Sequence, residues 1–427
     1  MLAAIDKWLP GYLRSVLRRP RKVRGLKHLI LCIADHFEPF GYDVPRDRRL
    51  RDLWLSWRHR IPPLFEAFRD ADGRHPQNTF FYPAEAGDSE VLHMLAILCE
   101  EGFGEVEVHL HHRNDSQEGF RAKLSSFAAG LREQHGFLGS DAAGRVRYGF
   151  VHGNWALCNA RPDGDWCGVN EELRILGETG CYADFTYPSA PDPTQPKMVN
   201  AIYRAIDDPN GRGQDRGSPV CTPERRLEPR RRGGAEARRG EEASEDSGAE
   251  YRAGILGSVC SGERAEEGSA SKTQFSSESS NLQSSNQPPP APPGLMLIQG
   301  PLAIDWRGVP RLEVPAIEHF NLPAPRRADL WARAHVHVRG RPDWVFAKLH
   351  THGAVPANND VLLGPPMIRV HRYLGERYND GVNWRLHYVT AREMHNIVRA
   401  AEDGESGNPG EYRDYEIAAP PVCGGDG

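Results

Sequence analysis

The sequence predicts an α/β fold, a single distorted (β/α)7-8 barrel interrupted by a long low-complexity insertion. Three observations lead there. Eight short β-rich runs are separated by stretches whose apolar residues recur at helical spacing. The runs are continuously apolar, the pattern of parallel strands covered on both faces. The chain also holds 43 Gly and 34 Pro, and the surplus is concentrated in one segment. At roughly 150 residues per domain, 427 residues allow two or three domains or one barrel with an insertion. A doubly wound open sheet is the second reading of the same pattern.

Residues 1–24 read as an N-terminal helical extension. Asp6 and Lys7 interrupt its apolar stretch, which argues against a signal peptide. Its basic end, Arg14, Arg18, Arg19, Arg21 and Lys22, fits a solvated helix lying over the domain better than a membrane contact. The first part of the barrel spans 25–208, with strands expected at 28–34 (HLILCIA), 78–83 (NTFFYP), 105–110 (EVEVHL), 147–152 (RYGFVH) and 182–187 (YADFTY). The run SEVLHMLAILCEEG between them has helical periodicity and a closing Gly. Residues 209–293 carry no Trp and no His and are rich in Arg, Gly, Glu, Ser and Pro. Such a segment buries too little apolar surface to offset the entropy of ordering, so a disordered insertion is expected, or else a misread frame. The second part of the barrel spans 294–402, with strands at 295–300 (LMLIQG), 344–350 (WVFAKLH) and 385–390 (RLHYVT). Residues 403–427 are expected to be a flexible tail.

The formal net charge is −5, from 53 Lys+Arg and 58 Asp+Glu, which argues against a strongly basic nucleic-acid binder. No run approaches the roughly 18 apolar residues needed for a transmembrane segment. Eight scattered cysteines without a CxxC pair predict reduced thiols packed as small hydrophobes in a cytoplasmic protein.

Parallel β/α folds gather their reactive groups at the carboxyl ends of strands. Here those ends carry Asp35 and His36, then His109, His111 and His112, then His152, Asn154 and Trp155, then Gln299, then His350 and His352. A lone buried His is usually a satisfied core residue, but this many at strand ends points to a site. His109 and His111 lie two apart on a strand and leave on one face. With a carboxylate or a third His from a neighbouring strand, where Asp35 and His36 stand, they make a three-ligand site for zinc or a similar divalent metal. His350 and His352 repeat the spacing with no carboxylate close behind, which suits a general acid and a substrate contact. His335 and His337 read as surface or helix-adjacent. No GxGxxG, GxxxxGK[ST] or GxSxG motif is present.

Together these features resemble the polysaccharide deacetylase (NodB-like) superfamily of β/α barrels, which lies near certain glycoside hydrolases. Ile33-Ala34-Asp35-His36 stands where members carry Thr-Phe-Asp-Asp, Asn78-Thr79-Phe80-Phe81 where they carry Ala-Thr-Phe-Phe, and Leu349-His350 echoes their late Leu-x-His strand. Arg113 stands where the family's second His would fall, so His111 or His112 takes that place. The resemblance implies a metal-dependent hydrolase that deacetylates N- or O-acetylated carbohydrate. It implies Asp35 as base, His36, His109 and His111 as metal ligands, and His350 as acid. It further implies Trp155 for stacking on a sugar ring and Asn154 and Gln299 for hydroxyl groups, with His152 and His352 beside them. Two other readings remain: a glycosidase using two of Asp35, Glu85 and Asp184, and a catalytically silent interaction protein of a polysaccharide system.

Overall fold

The structure is a computed structural model and describes residues 4–39, 48–227 and 294–423. Its strands are β1 (Lys27–His36), β2 (Asn78–Pro83), β3 (Gly104–Leu110), β4 (Gly139–Asp141), β5 (Val146–His152), β6 (Cys181–Asp184), β7 (Ile202–Ala205), β8 (Gly217–Pro219), β9 (Leu295–Ile298), β10 (Ala303–Asp305), β11 (Arg311–Glu313), β12 (Trp344–Thr351), β13 (Trp384–Tyr388) and β14 (Ile417–Ala418). Its helices are α1 (Ile5–Arg18), α2 (Arg48–Leu55), α3 (Trp57–Phe65), α4 (Ser89–Glu100), α5 (Gln117–His135), α6 (Glu172–Glu178), α7 (Pro223–Leu227), α8 (Pro325–Ala334), α9 (Pro356–Leu362), α10 (Pro365–Tyr378) and α11 (Ala391–Asp403).

β1 buries every residue after Lys27, as a central strand covered on both faces must. It pairs in parallel with β12 on one side, and with β13 and then β2 on the other. The parallel sheet continues β2-β3-β5-β6-β9. All eight expected strands are present. Alternate residues of β1 serve two cores. Leu29, Leu31 and Ile33 join Trp54, Trp57, Leu95 and Phe120 from the covering helices, while Ile30, Cys32 and Ala34 join Val151, Met296, Phe346 and Met394.

The sheet does not close into the expected barrel. β9 has β6 on one edge, and its other edge is taken by the antiparallel strand β7, which continues to β8. The outer edge of β12 is met only by isolated bridges, Ala316 to His350 and Val336 to Phe346. β9 and β12 therefore approach without pairing: a Cβ added at Gly300 would lie 2.3 Å from the Lys348 carbonyl oxygen. The short strands β7 and β8 give no long apolar run, which is why the sequence pattern missed them.

Three boundaries move. α1 lies over the domain as expected, burying Trp8 and Tyr12 against Ala190, Val199 and Leu302. Residues 209–227, assigned to the insertion, carry β8 and α7, and Cys221 bridges Arg339; from residue 228 to 293 the expected insertion lies outside the described residues. The expected flexible tail is folded to residue 423. β14 pairs with β4, and Asn396 Nδ2 donates to the carbonyls of Arg413 and Ile417 at 2.6 and 2.8 Å. Among the described residues no helix is long and apolar enough to cross a membrane, and seven cysteines are unpaired.

Candidate metal centre

β1, β3 and β12 end on the same side of the sheet because they run parallel, and their last residues supply the site. Asp35 and His36 end β1, His109 lies one residue before the end of β3, and His350 and Thr351 close β12. The imidazole of His36 lies 5.4 Å from that of His109, 5.9 Å from that of His350 and 5.0 Å from that of His352, between ring centroids. His109 and His111 share a face as their spacing predicts, with centroids 4.5 Å apart.

At the centre stands a residue the sequence reading missed, Glu38. His109 Nε2 lies 3.0 Å from Glu38 Oε1, His352 Nε2 4.0 Å from the same oxygen, and His111 Nε2 3.8 Å from Oε2. The other ring nitrogen of each imidazole is held by an acceptor. His109 Nδ1 faces the Val151 carbonyl at 2.8 Å, His111 Nδ1 the Glu85 carboxylate at 2.5 Å, and His352 Nδ1 the Glu318 carboxylate at 2.7 Å. An acceptor at Nδ1 fixes a proton there and turns Nε2 inward, the arrangement that orients metal-binding histidines. The expected set of His36, His109 and His111 is therefore rearranged. Glu38, His109 and His111 form one group of converging ligand atoms, and His36, Glu38 and His352 form a second that shares the same carboxylate.

The site's electrostatics follow from burial and from these contacts. Burial would raise Glu38, but the His109 hydrogen bond and the charges of His109, His352 and His111 outweigh it and hold the carboxyl at about 2. Burial pushes Asp35 up to about 8, against the hydrogen bond its Oδ1 accepts from the Gly353 N–H at 2.6 Å. Burial also drives His36 and His350 well below the usual imidazole value. His352 goes the other way: the Glu318 hydrogen bond and the charges of Glu38 and Glu318 overcome burial and raise it to about 9. Three buried polar atoms, Asp35 Oδ2, His36 Nε2 and His350 Nδ1, have no hydrogen-bond partner. Unsatisfied buried groups are costly, so their concentration beside Glu38 fits a place built for a cation and a bound ligand.

Of the remaining expected contacts, His152, Gln299 and Trp155 are not at this centre. His152 turns away and meets His112, Nε2 to Nε2 at 2.9 Å. Gln299 donates from Nε2 to the Met198 carbonyl at 2.8 Å and is 1% exposed, a structural contact. Trp155 packs against the core, and its carbonyl accepts from Tyr187 Oη. Asn154 follows Gly153, whose Cα lies so close to His111 that a Cβ would stand 2.2 Å from the ring. Asp184 is 1% exposed with both oxygens accepting from Thr186, which removes it from the glycosidase candidates. His335 and His337 bond only to the backbone, at the Pro342 and His335 carbonyls. A further group, Asp70, Asp72 and His387, already has its cation, because Arg413 Nη2 lies 3.3 and 3.0 Å from the two aspartates.

A signal for Glu38 was present. Asp35-His36-Phe37-Glu38 sets a carboxylate two residues past the strand-end His36, and a tight turn, Glu38 N–H to the His36 carbonyl at 3.0 Å, follows the strand there. Glu318 carried no such signal, since it comes from an irregular segment and meets His352 only through the fold. Neither a protein-family model nor a curated protein matches the chain.

Proposed function

We propose that the chain is a metal-dependent hydrolase that removes acetyl groups from N- or O-acetylated carbohydrate, in the manner of the polysaccharide deacetylases its strand-end residues resemble. The observation that carries this reading is the convergence of His109, His111, His36 and His352 on Glu38, with an unpartnered carboxylate oxygen of Asp35 beside them. The mostly parallel sheet, which carries these side chains at the carboxyl ends of its strands, supports the same reading.

Glu38, His109 and His111 would hold the cation. Imidazole and carboxylate donors suit zinc and similar divalent ions. When bound, such an ion polarises an acyl carbonyl and acidifies water. Asp35 is fixed through Oδ1 by Gly353, and its free Oδ2 takes the proton of the attacking water. His352, with its side chain 31% exposed beside Glu38, stands at the mouth and holds the proton for the leaving amine or alcohol. This moves the acid role from His350, which is buried and carries an unpartnered Nδ1. Two residues past Glu318, Phe320 is 76% exposed and offers the sugar-stacking face first assigned to Trp155.

The test is acetate release from partly acetylated amino-sugar oligomers by the zinc-loaded chain, with Glu38→Gln and His109→Ala as inactive controls. Release of shorter sugars without acetate would transfer the reading to a glycosidase. Zinc binding with no turnover on any acetylated sugar would leave an interaction protein.

A further inference from the structure

A second group of ligand-type side chains lies on the other side of the chain from His111. His112 follows it past β3, His152 ends β5, Cys167 sits in the loop after β5, and Glu172 begins α6. All four are buried, and one nitrogen, sulfur or oxygen from each lies within 4.8 Å of the others. His112 Nε2 is 2.9 Å from His152 Nε2 and 2.9 Å from Glu172 Oε1, which is 3.3 Å from His152 Nε2.

Two buried atoms in this packing have no hydrogen-bond partner, His112 Nδ1 and Glu172 Oε1. His152 Nδ1 meets the Gly153 carbonyl at 2.6 Å; a carbonyl only accepts, so that Nδ1 carries the ring's proton and the neutral Nε2 presents a lone pair. Glu172 adds another: its Oε2 accepts the Cys158 N–H, and its Oε1 has no donor. Asp115 Oδ2 lies 3.1 Å from His112 Nδ1. Two lone-pair atoms thus face the His112 ring in a dry space with a thiol beside them. Ligand atoms around a tetrahedral zinc, at bonds of about 2.0–2.1 Å, stand about 3.3 Å apart, so a small expansion seats an ion.

We propose that His112, His152, Cys167 and Glu172 form a second metal site, a closed structural one that binds a divalent cation of the zinc class through two imidazoles, a thiolate and a carboxylate. Thiolate and imidazole donors select such an ion over magnesium or calcium. Four protein ligands without an open position mark a structural rather than a catalytic centre. His152 has its orienting acceptor in the Gly153 carbonyl, and the Asp115 carboxylate lies beside His112. The ion ties the loop from Gly153 to Glu171 to β3 and β5. That loop contains Asn154, Trp155, Cys158, Asn159 and Trp166, all with left-handed φ, and it begins at the glycine against which His111 rests. Such backbone persists only where its surroundings hold it in place.

The test is metal content and cobalt spectroscopy of the full chain. Zinc-loaded protein should hold this equivalent in addition to that of the open centre. Exchange of Zn(II) for Co(II) should produce the thiolate-to-cobalt charge-transfer absorption. His109→Ala should keep that band and lose the other equivalent, whereas Cys167→Ser should lose the band. A cobalt-loaded wild-type protein without a thiolate band overturns the site, and this arm stands even where Cys167→Ser fails to fold. Full zinc content with an unchanged cobalt spectrum in Cys167→Ser also overturns it.

Discussion

His111 and His112 are neighbours in sequence and belong to two clusters of opposite character. Around Glu38 the cluster reaches the surface at its edge: the side chains of His352 and Glu85 are 31% and 28% exposed, while that of His109 is at 1%. Around Glu172 the side chains of His112, His152 and Glu172 are all at 0%. Both clusters leave buried atoms without partners, those of Asp35, His36 and His350 in the first and of His112 and Glu172 in the second; the second places four buried ligand atoms around one point. On the proposed reading, the same side-chain chemistry would serve catalysis where an approach stays open and anchorage where it is sealed. Consecutive residues of an extended chain leave on opposite sides, so one strand end can feed both.

The comparison is broken most directly by removing one carboxylate from each cluster. Asp35→Asn is expected to lower acetate release by roughly 10²–10⁴-fold with metal content and melting temperature kept. Glu172→Gln, the counterpart in the sealed cluster, is expected to cost about 3–5 kcal/mol of stability, as losing one partner of a buried charged group does, read in thermal or urea unfolding. A fall in turnover alone for Glu172→Gln, or in stability alone for Asp35→Asn, would reverse the assignment of the two clusters.

Smaller effects sharpen it. His352→Ala should reduce turnover by at least roughly 10²-fold and His350→Ala by less than about tenfold; the opposite order in steady-state kinetics would return the acid role to His350. Glu85→Gln, which removes the negative charge behind His111, should weaken zinc at the open centre by about 10–100-fold in a competition titration, with the cobalt–thiolate band unchanged. Brief chelation should abolish turnover before it moves the melting temperature, and prolonged chelation should lower both. The smallest effect belongs to His337→Ala, expected within about 0.5 kcal/mol of wild type and with full metal content.

Much of the frame was legible because parallel strands declare themselves as apolar runs and carry their chemistry at one end. Asp35, His36, His109, His111 and His352 were found by that rule alone. The residues that escaped come from segments without periodicity. Glu318 reaches His352 from an irregular stretch, and Cys167 and Glu172 are brought to His112 by a loop of left-handed residues. His152 was misplaced for a related reason: Leu110 pairs with His152, so His112, two residues on, meets it on the face away from His111. Closure of the sheet failed as an expectation because β7, four residues long, occupies the edge of β9 that a barrel would need.

The excursion from residue 228 to 293 departs and returns at a riveted seam. Glu402, 0% exposed, holds Arg226 just before the departure, with Nη2 3.1 Å from its Oε1, and holds Arg204, with Nη2 2.7 Å from its Oε2. Arg204 in turn donates to the carbonyl of Gly294, the first described residue after it. Departure and return are fastened to one carboxylate, at the amino end of β9 and so at the opposite end of the sheet from the histidines. This seam is where the chain can take on or shed material over evolutionary time, and where an engineer can splice a reporter, while the chemistry at the far end stays as it is.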